Sequence, residues 1–198
     1  IDTTDTFYPR DKMKCREKYG YSPEDKIVLG IAVGYSDPRK GAKYIIEMAQ
    51  KLKDDVKVVL IGWESCNDDM IRGIDNIVAL PPTYDTNQLA EYYSMADVFV
   101  LPSLAENYPT VTLEALACGT PAVGFDAGGI PEQLTEGKGI VVETGNGEAF
   151  TNAVKQALDR SLFMKRDELS ACIHAENSVA KMTEEYMQIY QELMRNKE

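Results

Sequence analysis

Two glutamates and two cations are the residues whose types and spacing could support binding or chemistry. Glu106 and Glu114 are separated by seven residues. Arg39 and Lys40 follow Gly34 within one loop of a chain that is acidic overall. A glycine lets a ligand approach the backbone, and two cations beside a helix start suit a diphosphate, although loop cations are more often solvated surface. The two carboxylates suit ligand hydroxyls, because they accept hydrogen bonds from them.

The two glutamates cannot share one face of a regular helix. Eight residues of α-helix turn through about 800°. Pro109 suits the first turn of a helix and Gly119 its end, so the pattern predicts a helix from about Tyr108 to Cys118. Glu106 then belongs to the preceding loop and Glu114 to the helix. A carboxylate in such an apolar helix gains nothing without a partner, and a ribose is a suitable one.

A third loop carries two adjacent glycines, Gly128 and Gly129, with Pro131 in the first turn of a predicted helix. Successive glycine amides beside a helix start can form an anion-binding nest, and they can equally form a plain tight turn. The sequence favours neither interpretation.

Short β-branched segments alternate with segments of helical period from Lys26 onward. The apolar runs Lys57–Ile61 and Asp97–Leu101 do not alternate, as expected for strands covered by helices on both faces. The pattern predicts an α/β fold with a Rossmann-like, doubly wound parallel sheet of about six strands. The predicted strands are Ile27–Val33, Val56–Ile61, Asn76–Leu80, Asp97–Leu101, Pro121–Gly124 and Gly139–Val142.

Helix-like apolar spacing marks the segments between these strands and the end of the chain. After the sixth strand we expect a helix from about Glu148 to Leu158, a less regular stretch through His174, and a final helix whose apolar face must be covered. That face comprises Val179, Met182, Tyr186, Ile189 and Leu193. The helices predicted earlier in the chain are Ala42–Leu52, a short piece near Asp68–Arg72, Asn87–Met95, Thr110–Cys118 and Ile130–Leu134.

Composition excludes several classes of protein. The 198 residues fit one ordinary domain, and a net charge of −11 argues against a nucleic-acid partner, because such binders usually carry a basic face. The four cysteines lack the spacing of a zinc site or a disulfide framework. No apolar run reaches the length of a membrane span and the first ten residues lack a secretory pattern, so the expected location is the cytoplasm.

The sequence resembles the C-terminal domain of the retaining glycosyltransferases with the GT-B fold, usually called family 4 or glycosyl transferases group 1. The resemblance covers nearly the whole chain and depends on the order and spacing of several segments taken together. These segments are Ile1-Asp2 with Phe7 and Pro9, Gly34 with Lys40 and Gly41, Ala96–Ser103, Glu106 to Ala115, Ala117–Val123 and Gly128–Glu132.

The resemblance implies a nucleotide-diphosphate-sugar donor of UDP or GDP type, with no metal and no other cofactor. It implies two catalytic residues, Lys40 on the diphosphate leaving group and Glu106 on hydroxyls of the transferred sugar. Glu114 would bind the ribose, the helix start near Tyr108 would face the phosphates, and the backbone at residues 80–81 would accept the base. The residues implied for nucleotide-sugar binding are Gly34, Tyr35, Arg39, Leu80, Pro81, Asn107, Tyr108, Thr110, Val111 and Glu114.

Two departures from the family pattern affect this site. Tyr35 stands where many members carry an arginine, so we hypothesise that Arg39 supplies the second charge on the diphosphate. Residues 107–109 replace small glycines, and Pro109 removes one N–H donor. We hypothesise that the hydroxyl of Thr110 replaces that donor.

The resemblance also implies how the chain is organised. Residues 1–25 would be a hinge and lead-in, residues 26–175 the nucleotide-sugar-binding domain, and residues 176–198 a helix that packs toward an N-terminal domain absent from this chain. The acceptor, a glycan, lipid-linked sugar or small molecule, would bind that other domain, and the full enzyme would associate at most peripherally with a membrane. We therefore expect this chain to bind a nucleotide but to transfer little or no sugar, in carbohydrate or polysaccharide biosynthesis.

Other functions stay open at this stage. Another GT-B enzyme, such as a nucleotide-sugar epimerase or a phosphorylase, is the first alternative. A binding or regulatory module without transferase activity is the second, and it would be favoured if Lys40, Glu106 and Glu114 pointed away from one another. A dinucleotide oxidoreductase is disfavoured, because the first loop lacks the G-x-G-x-x-G pattern.

Overall fold

The computed structural model describes residues 1–32, 34–52, 55–63, 69–135 and 137–195. Val33, Cys66 and Asp68, which entered the sequence analysis, lie outside the described residues. The strands are β1 (Lys26–Ile31), β2 (Val56–Ile61), β3 (Ile77–Leu80), β4 (Val98–Leu101), β5 (Ala122–Phe125) and β6 (Gly139–Val142).

These six strands form one sheet in the order β3-β2-β1-β4-β5-β6, and every neighbouring pair is parallel. The register of β1 with β2 runs from Lys26 opposite Val56 to Ile31 opposite Ile61. The central strands β4 and β5 are buried at every position, which explains why their sequences show no polar alternation. The predicted α/β fold with a doubly wound parallel sheet is confirmed.

Helices cover both faces of the sheet, with α2 against α6 on one side and α3 against α1 and α4 on the other. Two short 3₁₀ turns, Pro38–Lys40 and Arg160–Leu162, complete the regular structure of the described residues. The helices are α1 (Lys12–Lys18), α2 (Ala42–Lys51), α3 (Thr86–Met95), α4 (Thr110–Ala117), α5 (Ile130–Gln133), α6 (Gly147–Ala157), α7 (Arg166–Asn177) and α8 (Val179–Arg195).

Two of the sequence-based expectations are wrong. From Arg166 onward, the stretch through His174 is not irregular but forms most of α7, which buries only Leu169 and Ile173. Two buried positions four residues apart make a very narrow apolar stripe, so the helical period is weak in the sequence. The short helix expected near Arg72 is also missing from the described chain, where residues 69–73 form turns that end at Gly73 with a positive φ of 80°.

Helix α1, which the sequence analysis did not identify, is joined to the sheet through Asp97. The carboxylate of Asp97 accepts hydrogen bonds from Lys12, from Arg16 at 2.8 Å, and from the backbone N–H of Ile27 at 2.7 Å. Three donors on one half-buried carboxylate fix the helix against the amino ends of β1 and β4. Helix α1 therefore packs against α3 and is tied to the sheet through the Asp97 carboxylate.

The first residues of the chain contact α7 near its C-terminal end. The amino group of Ile1 donates to the carbonyl of Asn177 at 2.8 Å, and the hydroxyl of Thr3 lies 2.7 Å from Nδ1 of His174. Farther along, the ring of Phe7 is buried and packs edge-on against Tyr93 of α3, with 6.2 Å between ring centroids. The first residues of the chain thus contact α3.

Helix α8 buries none of its residues within the described chain. Its first turn is tied down by the N–H of Val179, which donates to the carbonyl of Ile1 at 3.2 Å. In the described residues no helix is both long and apolar enough to cross a membrane. The large apolar side chains that α8 exposes are Val179, Met182, Tyr186, Met187, Ile189, Tyr190, Leu193 and Met194.

Candidate functional site

The sheet reverses its direction of growth between β1 and β4. From β1 the chain passes to β2 on one side, whereas from β4 it passes to β5 on the other. Loops that leave the carboxyl ends of two such strands diverge, and the crevice between them is the usual ligand position in open parallel sheets. We call residues 34–41 the first loop, residues 102–109 the second loop, and residues 126–129, after β5, the third loop.

The first and second loops bring two predicted residues into contact. The Nζ atom of Lys40 lies 2.9 Å from Oε1 of Glu106. The Lys40 side chain is 32% exposed and that of Glu106 is 14% exposed. Without a ligand, the two charges satisfy each other. A ligand with phosphate oxygens and hydroxyls would break this ion pair. Lys40 would then bind the phosphate and Glu106 the hydroxyls, both through charge-assisted hydrogen bonds.

A short turn and a glycine set the position of Lys40. The carboxylate of Asp37 accepts the N–H of Arg39 at 2.9 Å and so caps the turn Pro38–Lys40. Gly41 follows with φ at 70°, and a Cβ placed on it would lie 1.9 Å from the carbonyl oxygen of Pro102. Only glycine permits both this φ and this close approach. The first loop therefore contacts the second loop directly after Lys40.

Arg39 is paired with an aspartate of its own loop rather than with Glu106 or Glu114. Its Nη2 atom lies 2.7 Å from Oδ2 of Asp37, and its side chain is 73% exposed. Hydrogen bonds from the Arg39 side chain and backbone lower the pKa of Asp37 to about 2, so this partner stays ionised. The hypothesis that Arg39 supplies a second charge to a diphosphate therefore requires Arg39 to leave Asp37.

Gly34 and Tyr35 begin the first loop in different environments. Gly34 has φ at 76°, and a Cβ placed there would meet no atom within 4 Å. Tyr35 is buried, and its ring lies 4.8 Å from that of Trp63, measured between centroids. Burial raises the pKa of Tyr35 well above its ordinary value. The Tyr35 side chain thus packs in the core beneath the loop.

Glu114 lies inside α4, as the spacing analysis predicted, and Glu106 lies in the loop before it. The hydroxyl of Tyr93 donates to Oε2 of Glu114 at 2.9 Å. Burial raises the pKa of Glu114, while hydrogen bonds from Tyr93 and from the Thr110 side chain oppose that rise. Val111, one turn earlier on the helix, is half-buried against the core. Glu114 is therefore a partly desolvated carboxylate with lone pairs left for a ligand.

The third loop supports the second loop from below. The N–H of Gly129 donates to the carbonyl of Asn107 at 2.6 Å. A Cβ on Gly128 would lie 2.0 Å from the carbonyl oxygen of Glu106, and one on Gly129 would lie 2.4 Å from a ring carbon of Tyr108. These glycines permit two loops to touch, and the Gly129 amide is not available to an anion. The structure favours the tight-turn interpretation over the nest.

The amino end of α4 differs slightly from the prediction. The helix begins at Thr110 and not near Tyr108, because a residue before proline is disfavoured in helical conformation. Pro109 occupies the cap position, and no side chain of the described residues caps the helix there. Its carbonyl accepts a hydrogen bond from Nε2 of the buried Gln133 at 3.1 Å. Because no side chain of the described residues caps α4, its first-turn N–H groups can bind water or a ligand.

Leu80 and Pro81 lie at the carboxyl end of β3, the edge strand that β2 separates from β1. The carbonyl of Leu80 already accepts the N–H of Gly62 at 3.0 Å. Leu80 is half-buried and Pro81 is exposed. In the part of the chain that is described, no group of three or more His, Cys, Asp or Glu side chains could hold a metal ion.

Comparison with known families decides what kind of domain carries this site. The family model described as glycosyl transferases group 1 matches residues 11–172. The chain belongs to this family. The matched region of this group 1 domain includes all six strands and the three loops of the crevice.

A curated relative of this group 1 domain is D-inositol 3-phosphate glycosyltransferase from Mycobacteroides abscessus. The two sequences are 30% identical over 167 residues, which is 79% of this chain and 37% of the relative. The chain therefore spans well under half the length of the curated relatives it matches.

Two solved structures share the fold of this group 1 domain. The Anabaena protein HepE, in complex with UDP-glucose, superposes with a TM-score of 0.80 at 17% identity, covering 97% of this chain and 56% of HepE. The C-terminal domain of the glycosyl transferase group 1 protein LpcC from Francisella tularensis gives a TM-score of 0.71 at 19% identity. That match covers 90% of this chain and 99% of the LpcC domain.

Three supporting residues of this group 1 domain were missed by the sequence analysis. They are Asp37, which caps the Lys40 turn, Tyr93, which binds Glu114, and Gln133, which binds Pro109. Asp before a proline carried a local signal, because it is a good cap residue. Tyr93 and Gln133 carried none, since their partners are more than twenty residues away.

Proposed function

We propose that this domain binds the nucleotide-diphosphate-sugar donor of a retaining glycosyltransferase. The observation that carries the proposal is the ion pair between Lys40 and Glu106, formed by the two loops at the switch point of the sheet. Membership of glycosyl transferases group 1 supports it, and so does the shared fold with HepE, which was solved with UDP-glucose. The donor would be of UDP or GDP type.

The diphosphate would lie between Lys40 and the amino end of α4. Lys40 supplies a positive charge, and the uncapped first turn of α4 supplies N–H groups and the positive end of the helix dipole. A phosphate oxygen attracts both, so the ligand would draw Lys40 away from Glu106. We propose that these groups bind the diphosphate without a divalent metal; binding that required Mg²⁺ and vanished in EDTA would contradict this.

The two glutamates would bind the two sugars of the donor. Glu114 would accept hydrogen bonds from the ribose hydroxyls, and Glu106, released by Lys40, would accept them from the transferred sugar. The base would lie toward residues 80–81 at the end of β3. The carbonyl of Leu80 is already bonded, so the base contacts would have to come from other backbone groups nearby.

The chemical role of the domain would be to stabilise the leaving group. Sugar transfer breaks the bond between the anomeric carbon and a diphosphate oxygen, and negative charge grows on that oxygen in the transition state. A cation fixed beside it stabilises the transition state more than the bound donor. Removing Lys40 should therefore lower kcat more than it raises KM in the enzyme that contains this domain.

The acceptor would bind elsewhere in a longer protein. The chain spans 37% of the length of the curated relative described above, and α8 exposes an apolar face with no partner among the described residues. We propose that this face packs on an acceptor-binding domain and that the isolated 198 residues transfer little or no sugar. Measurable turnover to a defined acceptor by this chain alone would overturn that proposal.

Calorimetric titration with UDP, GDP and ADP tests the donor-site proposal. We expect one nucleotide to bind saturably and Lys40→Ala to weaken it at least tenfold, because a charge-assisted contact to phosphate is lost. Lys43→Ala is the matched control, since it removes the same charge from an exposed position at the second residue of α2. Equal losses in both variants, or no binding by the folded wild-type domain, would contradict the proposal.

A further inference from the structure

The side chain of Tyr93 reaches from α3 to α4 and ends at the proposed ribose carboxylate. Its hydroxyl donates to Oε2 of Glu114 at 2.9 Å, although the tyrosine itself is fully buried. The two residues are twenty-one positions apart and on different helices, so the contact depends on the packing of α3 against α4. Thr110, on the same helix as Glu114, also acts to lower the pKa of that carboxyl.

The ring of Tyr93 has little freedom to move. Phe7 packs edge-on against it at 6.2 Å and Phe99 of β4 at 5.6 Å, both between ring centroids. The Tyr93 carbonyl accepts the hydroxyl of Thr120 at 2.7 Å, which fixes the backbone of α3 as well. Because aromatic neighbours hold the Tyr93 ring on two sides, its hydroxyl occupies one position.

A fixed donor favours Glu114 as a hydrogen-bond acceptor. Burial disfavours the ionised form of Glu114 and raises its pKa. In the protonated form, an O–H donor would replace one of the acceptor positions of the carboxylate. A hydroxyl on Oε2 stabilises the charge and occupies one side of the carboxylate. The remaining lone pairs then face away from Tyr93, which selects a single orientation for a ligand's hydroxyls.

We propose that Tyr93 is the positioning residue of the donor site, and that its hydroxyl fixes the Glu114 carboxylate in the orientation that receives the ribose hydroxyls. The proposal rests on the proposed function, since it assigns Glu114 to the ribose. It gives a binding role to a residue that composition and burial alone assign to the core.

The hydroxyl can be removed without changing the packing. Tyr93→Phe keeps the ring and both aromatic contacts and deletes only the donor to Glu114. Tyr92→Phe is the matched control, because Tyr92 directly precedes Tyr93 on α3 and is also buried. Its ring packs against Tyr19, with 4.6 Å between centroids. Glu114→Ala serves as the reference for losing the carboxylate itself.

The test is calorimetric titration of these three variants and the wild type with UDP, GDP and ADP, each with a thermal melt. We expect Tyr93→Phe to weaken binding of the nucleotide by up to about tenfold. The hydrogen bond exists with and without the ligand, so its loss lowers the affinity only through the orientation and charge of Glu114. Tyr92→Phe should leave the affinity unchanged. A core role alone would lower the melting temperature of Tyr93→Phe while leaving its affinity equal to that of the wild type.

A pH series separates positioning from general loosening. The groups that act on the charge of Glu114 are Tyr93 on α3, Thr110 on α4 and, at longer range, the amino group of Ile1. The Tyr93 hydrogen bond favours the ionised carboxylate, so its loss raises the pKa of Glu114 further. The affinity deficit of Tyr93→Phe should therefore grow as the pH falls from 8 toward 5, and a deficit independent of pH would count against the proposal.

The outcomes distinguish this inference from the proposed function. No nucleotide binding by the folded wild-type domain, or undiminished binding by Glu114→Ala, overturns the assignment of Glu114 and this inference with it. Weakened binding by Glu114→Ala together with wild-type binding by Tyr93→Phe overturns the positioning role alone. Weakened, pH-dependent binding by Tyr93→Phe with an unchanged Tyr92→Phe supports it.

Discussion

Replacing Glu106 by glutamine should make the domain bind a nucleoside diphosphate more tightly. In the unliganded structure Lys40 is engaged by Glu106 at 2.9 Å, so a diphosphate must first break that ion pair. Glutamine keeps the size of the side chain and can still accept a hydrogen bond, but it no longer competes for the cation with a full charge. A nucleoside diphosphate has no transferred sugar, and therefore loses nothing when Glu106 changes.

The size of the effect follows from how far the ion pair is exposed. Lys40 is 32% exposed and Glu106 is 14% exposed, which lies between a surface pair and a buried one. Fully exposed pairs contribute about 0.2–1 kcal/mol, and a pair near the protein surface at 4 Å has a Coulomb energy of about 4 kcal/mol before desolvation is subtracted. We take about 1 kcal/mol as the cost of opening this pair. That corresponds to roughly fivefold tighter binding in Glu106→Gln.

Calorimetric titration with UDP and GDP measures this gain. Asp126→Asn is the matched control, because it removes the same charge from an exposed position in the neighbouring third loop. A gain that depends on releasing Lys40 must also disappear in the double variant Lys40→Ala/Glu106→Gln. An affinity of Glu106→Gln equal to or weaker than that of the wild type, or an equal gain in Asp126→Asn, would refute the reasoning.

Three further predictions concern stability. Gly41→Ala should lower the free energy of unfolding in urea by at least about 2 kcal/mol, because its Cβ would lie 1.9 Å from the Pro102 carbonyl oxygen. Gly34→Ala has a similar positive φ but open space around it, so it should cost about 1 kcal/mol. Equal losses in the two variants would contradict this. Glu114→Gln should raise the melting temperature at pH 7, because the raised pKa of Glu114 means that its ionised form opposes folding. The gain should vanish as the pH falls below 4.5, the ordinary pKa of a glutamate. A gain independent of pH would argue against burial as its cause. Ending the chain at Asn177 removes α8, which buries no residue, so the urea midpoint should change little; a large loss would mean that α8 stabilises the sheet.

The elements that position the site could be predicted from the sequence because their signals are local. Apolar runs without alternation identified β2 and β4, and Pro109 with Gly119 bounded α4 to within two residues at its start and one at its end. The same turn chemistry assigned Glu106 to a loop and Glu114 to a helix. Each of these inferences used residues within one element and its flanking turns.

The contacts that complete the site depend on residues far apart in the chain, and no local pattern reports them. The sequence analysis offered Arg39 as the second charge on a diphosphate, and only the fold shows that Arg39 pairs with Asp37 in the unliganded domain. The resemblance implied that Tyr35 binds the donor, and only the fold shows that its side chain packs on Trp63. The role of Tyr93 becomes visible only when α3 packs beside α4 and its hydroxyl reaches Glu114.

A crystal structure of this domain soaked with UDP or GDP tests the central claim most directly. The account predicts a diphosphate within hydrogen-bonding distance of Lys40 Nζ and of the first-turn N–H groups of α4, with the ribose on Glu114 and the Lys40–Glu106 ion pair opened. A nucleotide bound elsewhere on the surface, with that ion pair still closed at 2.9 Å, would contradict it.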